Sequence, residues 1–354
     1  MDRSFEPLIT FVGYARNDNY GGNFLDKLAL TIRTLASQAS DFRVAVEYLI
    51  VEWNPPQDTA ALRDVLPADI QNPYFRCAVV TAPPLYHTGF LGADIKGFHP
   101  SRALNVGYRR AAGQFVSPLS SDVVLSDALF GYIAKHGLDD GKVYRLDRCD
   151  VDAAALPPDG AAPEPRAVWL NGLAEKVVTR HENHGMQVSE LYGVMPLHTN
   201  ACGDFTLAPR AIWHQIRGVP EDCPVTCLDI DSIALHAMVH LGLEEQVLPE
   251  DCMLFKFSHA KAGYRQKVRA VRHGWRKYLE KIINFIVPGK SNKATLRGVC
   301  NVPLREMNGM GFACDSFERN FVLRVKKWRW FGSECKLNAR DWGLADVELE
   351  KTTI

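Results

Sequence analysis

Apolar residues recur along this chain in two rhythms. Unbroken runs at Leu8-Ile9-Thr10-Phe11-Val12-Gly13, Val44–Val51 and Phe75–Thr81 suit strands buried on both faces. Between the first two, Leu25, Leu28, Ile32 and Leu35 recur at helical spacing, which predicts an amphipathic helix ending near Ser40. A short helix is expected over 60–66, and Pro55-Pro56 stops the second strand. Pro100-Ser101 opens a further helix whose inner side carries Leu104, Tyr108 and Ala111; Gly113 ends it, and a strand follows at 115–119. Later come a strand at 205–207, helices at 210–217 and 231–241, and a strand at 253–257. In the 231–241 helix Ile233, Ala234, Ala237, Met238 and Leu241 keep the i, i+3, i+4 rule. Alternating strands and helices of this kind predict an α/β fold, with a mostly parallel sheet flanked by helices. The Ala/Pro-rich stretch between Asp152 and Pro165 reads as an exposed, mobile loop.

Composition narrows the class. The 354 residues are 47% hydrophobic and 23% charged, and Gly and Pro together make 46, which excludes collagenous and wholly disordered chains. No apolar stretch reaches the roughly 18 residues of a membrane span, and no signal-peptide core opens the chain. Nine scattered cysteines fit free thiols in a reducing cytosol better than a disulfide framework, so a cytoplasmic protein is expected. Lys+Arg and Asp+Glu are both 41, yet from Lys256 to Lys293 there are eleven Lys/Arg against one acid, Glu280. The chain therefore divides into a domain over 1–260 and a basic, partly helical extension over 261–354. The extension either packs on the domain or lies on an anionic membrane surface at the inner face, with Trp275, Leu279, Ile282 and Ile286 dipping in. Nucleic acid is not an expected partner, although Arg324–Trp330 mixes basic and aromatic residues.

Ligands of open α/β sheets bind beyond the carboxyl ends of the strands. That rule selects Arg16-Asn17, Glu52-Trp53-Asn54 and Ser121-Asp122. A carboxylate at a strand end can accept from a base or ribose, as Glu52 would, or hold a hard cation beside phosphate, as Asp122 would. The plainer reading of each cluster is a helix cap or a turn.

Taken in order, these clusters and two others resemble glycosyltransferase family 2 and its nucleotide-sugar-binding GT-A fold. The most specific stretch is Arg102-Ala103-Leu104-Asn105-Val106-Gly107 with Ala111-Ala112-Gly113, followed by a strand and Asp122. Asn200–Phe205, Arg217–Glu221 and Asp229–Ser232 resemble the acceptor-side motifs, and His259 falls where such enzymes carry a late histidine. The resemblance spans residues 8–260. It implies transfer of a sugar, with inversion, from a nucleotide-sugar donor to a hydroxyl of a glycan or lipid-linked acceptor, in cell-surface polysaccharide or glycolipid synthesis. It also implies that Arg16, Asn17, Glu52, Asn54, Arg102, Asn105 and Asp122 bind the donor. Asp122 and His259 would hold Mg2+ or Mn2+. The general base would be Asp231, then Asp229, then Asp204 in order of preference.

Two departures bear on this reading. The usual D-x-D metal motif is reduced to Ser120-Ser121-Asp122, and the acidic pair before the late helix is Leu228-Asp229. A catalytically silent nucleotide-sugar or glycan-binding relative is therefore an alternative, and a sugar nucleotidyltransferase a more distant one. His236 and His240 lack the Glu of a zinc H-E-x-x-H motif and read as helix histidines. His181 and His184 read as part of a polar loop, and neither a P-loop nor a nucleophile elbow is present.

Overall fold

Four apolar strands, β1 (Ile9–Ala15), β2 (Val46–Trp53), β3 (Phe75–Ala82) and β4 (Phe115–Pro118), form the centre of the protein. Their alternation is hidden in sequence because both faces are covered. Phe11, Tyr48, Ile50 and Val79 pack under α1 (Phe24–Phe42), while Leu49, Val51, Ala78 and Val80 meet Ala103 and Val106 of α3 (Pro100–Arg110). The computed structural model describes residues 5–19, 22–68, 70–94, 97–161, 163–182, 197–223, 230–257, 325, 327–328, 332 and 334–354.

β1, β2, β3 and β4 run parallel in the order β3-β2-β1-β4. Antiparallel edges are added by β9 (Ala208–Pro209) beside β4 and β12 (Lys351–Thr353) beside β3. The expected mixed α/β architecture with a mostly parallel, helix-flanked sheet is present. From β1 the chain winds outward through β2 and β3, whereas β4 lies on the other side of β1. The winding therefore reverses between β1 and β4.

A second sheet comprises β5 (Val123–Leu125), β7 (Asp147–Val151), β8 (Val177–His181) and β11 (Met253–Phe257), ordered β5-β11-β7-β8. A parallel pair joins β6 (Lys142–Arg145) to β10 (Glu244–Val247). The remaining helices are α2 (Leu62–Val65), α4 (Asp127–His136), α5 (Arg166–Ala174), α6 (Arg210–Ile216) and α7 (Ile230–His240). No described helix is long and apolar enough to cross a membrane.

Several local expectations are corrected. The 205–207 strand reduces to a bridge from Leu207 to Tyr144 followed by β9, because Phe205 and Leu207 point into the core instead of extending a ladder. The Ala/Pro-rich stretch is not a free loop. It makes two 3-10 turns at 153–155 and 158–160. Gly160, at φ 56°, lies against the backbone of Asp26 on α1, and its carbonyl accepts from Arg33 at 3.0 Å. Buried Arg166 fastens the next helix to Asp41 at 2.7 Å and Asp127 at 3.0 Å. His181 belongs to β8 rather than to a loop, and His184 lies outside the described residues. Of the basic run Lys256–Lys293, the described residues are Lys256 and Phe257, both in β11; the membrane-surface segment lies outside them. In the 324–330 stretch, Trp328 is buried in the core beside α7. His236 is a buried helix histidine, as expected, and burial lowers its pKa to about 4.

The C-terminal residues 334–354 return to the sheet. Arg110, at the end of α3, donates to the carbonyls of Gly343, Leu344 and Val347 at 2.7–2.8 Å. Beyond them the chain pairs as β12, and Lys351 reaches buried Glu47 at 2.9 Å. Arg110→Ala leaves three carbonyls unserved, so we expect a loss of about 2–4 kcal/mol in urea unfolding. Hydrogen exchange at Thr352 and Thr353 should accelerate with it; an unchanged midpoint would show that Arg110 does not hold the strap.

Candidate functional site

The carboxyl ends of β1 and β4 adjoin where the winding reverses, and such a reversal opens a crevice for ligand in α/β sheets. Charged side chains from four elements gather there. Asp122 follows β4, Asp204 ends a turn over 200–204, Arg148 and Asp150 come from one face of β7, and Lys256 comes from β11. The register of β11, with Lys256 opposite Val123 of β5 and Asp150 of β7, brings the lysine to this point.

Asp204 is the hub. One of its oxygens accepts from the Ser120 hydroxyl at 2.5 Å and from Lys256 Nζ at 2.8 Å; the other meets Arg148 at 2.5 Å. Lys256 Nζ also stands 3.6 Å from Asp122. Arg148 continues to Asp150 at 3.2 Å and to His181 at 3.0 Å, and His181 returns to Asp150 at 2.8 Å. Burial alone would raise the Asp204 pKa, but the Lys256 and Arg148 charges overcome it and hold the carboxyl far below the usual range. The same carboxylates drive Lys256 upward against its burial. Tyr14, at the end of β1, faces this cluster, and burial pushes its phenol up to about 12. The turn bearing Asp204 is held by fully buried Arg145, which donates to the carbonyls of His198 at 2.9 Å and Asn200 at 2.6 Å and to Thr206 Oγ1 at 2.9 Å.

On the β2 side of the same rim, the residues read as nucleoside contacts hold loops. Arg16 Nε donates to the Asn54 carbonyl at 2.8 Å and pairs with Asp18 at 2.7 Å. Asn17 reaches the Ala60 carbonyl at 2.9 Å. Asn54, at φ 51°, donates its amide to the Gly97 carbonyl at 2.8 Å. Glu52 is fully buried; it accepts from the Leu62 amide at 2.9 Å and the Thr81 hydroxyl at 3.4 Å, and burial raises its pKa. Its carboxylate therefore closes the 61–62 loop instead of facing an open crevice.

Arg102 and Asn105 share one side of α3, and that side faces the 219–223 loop. Asn105 donates to the Val219 carbonyl at 2.7 Å and to Glu221 at 2.8 Å, and accepts from the Val219 amide at 2.8 Å. A side chain on Gly218, at φ 69°, would collide with the side-chain amide oxygen of Asn105, which accounts for the glycine. Arg102 sits over the Phe90 ring at 4.7 Å and lines a cleft of about 270 Å³ with Glu221, Asp222 and Cys223. Asn105 thus organises the loop, while Arg102 is the member of the motif that borders open space.

Among the base candidates, Asp231 is half-buried in the first turn of α7. Its carboxylate lies against Gly203, where an added Cβ would stand 2.9 Å from Oδ2. It therefore adjoins the turn that carries Asp204. Asp229 and the metal candidate His259 lie outside the described residues. Among the described residues no three His, Cys, Asp or Glu side chains converge on a metal position. Asp122 has an ammonium beside it where a D-x-D motif would offer a second carboxylate, so this described set does not by itself fit a divalent ion.

Sequence reasoning passed over Arg145, Arg148, Asp150 and Lys27. The run Arg145–Asp150 places charges two apart, a strand period, and was left without an element. Lys27 belongs to no motif, yet in α1 it is 3% exposed.

No family model matches the chain, and no curated protein sequence matches it. Among solved structures, the chain is similar to the mannosyltransferase PcManGT from Pyrobaculum calidifontis, determined in complex with GDP-Man and Mn2+. Identity is 12% and the TM-score 0.41, over 93% of this chain and 77% of that one.

Removing the hub charge tests the site's electrostatics. Asp204→Asn leaves Lys256 and Arg148 short of a counter-charge, so stability at pH 7 should fall by about 3–5 kcal/mol. A depressed carboxyl stabilises above its unfolded value of about 3.9 and ceases to as pH falls toward its folded value. Denaturant titrations should therefore show the wild-type advantage at neutral pH and its progressive loss below about pH 4. A pH-independent difference would contradict the assignment.

Proposed function

We propose that this chain is a nucleotide-sugar-dependent glycosyltransferase of the GT-A type, acting with inversion on a hydroxyl of a glycan or lipid-linked acceptor. The observation that carries the reading is the charge cluster at the winding reversal, where Asp122, Asp204, Lys256 and Arg148 gather beside the carboxyl ends of β1 and β4. Order along the sequence supports it further, since the segments bearing Asp122, Asp204 and Asp231 fold onto one rim.

The chemistry divides among these residues. The acceptor oxygen attacks the anomeric carbon, the bond from that carbon to the diphosphate oxygen breaks, and the leaving group departs with the electron pair. Its developing charge needs fixed positive charge nearby, and Lys256 is held there by two carboxylates. The acceptor proton passes to Asp231. Asp204 is unsuited to that task, because a carboxyl held so far below neutrality is a poor base. Arg16 and Asn17, at the end of β1, would border the nucleoside, and Arg102 would border the acceptor side. Glu52, Asn54 and Asn105 act by holding the loops. A divalent ion bound with the donor, Mg2+ or Mn2+, would meet Asp122 among the described residues and would supply further charge neutralisation.

The test is incubation of the full chain with a panel of nucleotide sugars, with and without Mn2+, following release of nucleoside diphosphate. Asp122→Ala should abolish release. Asp231→Asn should lower kcat by about 10²–10⁴ with donor affinity unchanged, the range for loss of a general base. Donor binding without release in any acceptor mixture would favour a silent binding module, and pyrophosphate release from a nucleoside triphosphate and a sugar phosphate would point to a nucleotidyltransferase.

A further inference from the structure

Lys27 is a nearly buried lysine whose ammonium makes no direct polar contact among the described residues. It is 3% exposed, and among the described residues its Nζ makes no hydrogen bond and no ion pair within 4 Å. Buried lysines are ordinarily paired, because an unpaired charge out of water is costly. Here burial lowers its pKa, Asp122 draws it back up and Lys256 opposes it, so the side chain shares the electrostatic field of the rim. Lys256 and Arg148 each stand against two carboxylates, Asp204 with Asp122 or with Asp150, whereas Lys27 stands within ion-pair distance of none among the described residues.

Its position is fixed by the helix that carries it. One turn further along α1, the Thr31 hydroxyl bonds the Val123 carbonyl at 2.7 Å and lies 3.4 Å from that of Ser121. This docks α1 on the backbone flanking Asp122, and Lys27 occupies the same side one turn nearer the crevice. It also stands in the first turn of a 19-residue helix, where the Phe24 amide donates to Asn19 Oδ1 at 3.4 Å and Asp26 is the acidic residue of the turn. The positive end of the helix dipole adds to the ammonium, partly offset by Asp26.

We propose that Lys27, backed by the first turn of α1, binds the diphosphate of the nucleotide donor at the Asp122 rim. The inference rests on the transferase reading and deepens it. A diphosphate supplies the multiple negative charges that an unpaired ammonium beside a helix N-terminus lacks, whereas the nucleoside and sugar supply none.

Calorimetry of the full chain, run in EDTA and again with Mn2+, would use UDP, GDP, ADP and CDP, the matching nucleosides, and inorganic pyrophosphate. The expected result is preference for one nucleoside diphosphate over its nucleoside, a loss of at least about tenfold in diphosphate affinity in both Lys27→Met and Lys27→Gln, and unchanged nucleoside affinity. Both variants should melt at or above the wild-type temperature, since no ion pair or hydrogen bond among the described residues is lost. Diphosphate affinity within twofold of wild type in the variants overturns this inference and leaves the transferase reading standing. Lys27-dependent binding of pyrophosphate with no nucleotide bound at all would support the anion site and overturn the donor reading. Binding of neither would overturn both. Variants melting far below wild type would show that Lys27 serves the fold, which also overturns the proposal.

Discussion

One buried carboxylate determines the shape of the rim. Asp204 takes bonds from Ser120 after β4, Arg148 of β7 and Lys256 of β11, so a single side chain ties the parallel sheet to the second sheet. Charges out of water hold their geometry tightly, because each lost bond leaves a partner uncompensated. The parts around it inherit that constraint. Arg145 holds the turn that presents Asp204, the absence of a side chain at Gly203 admits Asp231, and Lys256 stands between Asp204 and Asp122.

The parallel sheet was legible in the sequence because burial on both faces leaves a continuous apolar signal. β1, β2, β3 and the helices around Leu28 and Leu104 fall within a few residues of where periodicity puts them. The strands of the second sheet were not legible, apart from β11. β7 reads Asp-Arg-Cys-Asp-Val, and a strand that spends its side chains on ion pairs has no hydrophobic alternation to betray it. β12 was hidden for another reason. Lys351–Thr353 becomes a strand only because β3 offers it an edge and Arg110 delivers it there.

The polar residues show the same division. Asp122 is a strand-end carboxylate and Asp204 and Asp231 come from the family resemblance; Lys256 stands between Asp122 and Asp204, and Asp231 lies against Gly203. Glu52, a strand-end carboxylate, and Asn105, from the resemblance motif, turn inward, to Leu62 and to Val219 with Glu221. Motif position locates a side chain along the chain but does not say which way its oxygen points. Their work is still connected to the site: Asn105 shapes the loop whose Glu221 also accepts from the Gly343 amide, so the C-terminal strap and α3 meet on one carboxylate.

The proposed reaction divides two tasks between two carboxylates. A group that must orient cations needs to stay ionised throughout the reaction, and one that must accept a proton needs a pKa within reach of it. Asp204 is driven away from neutrality by two cations and suits the first task. In the proposed reaction Asp231 takes the second task; it adjoins the same turn, half-buried at a helix start. Lys27 completes the logic from the other side: a helix that carries an unmatched ammonium to the crevice is poised for an anion, and the anion's own charge is what the fold leaves unprovided.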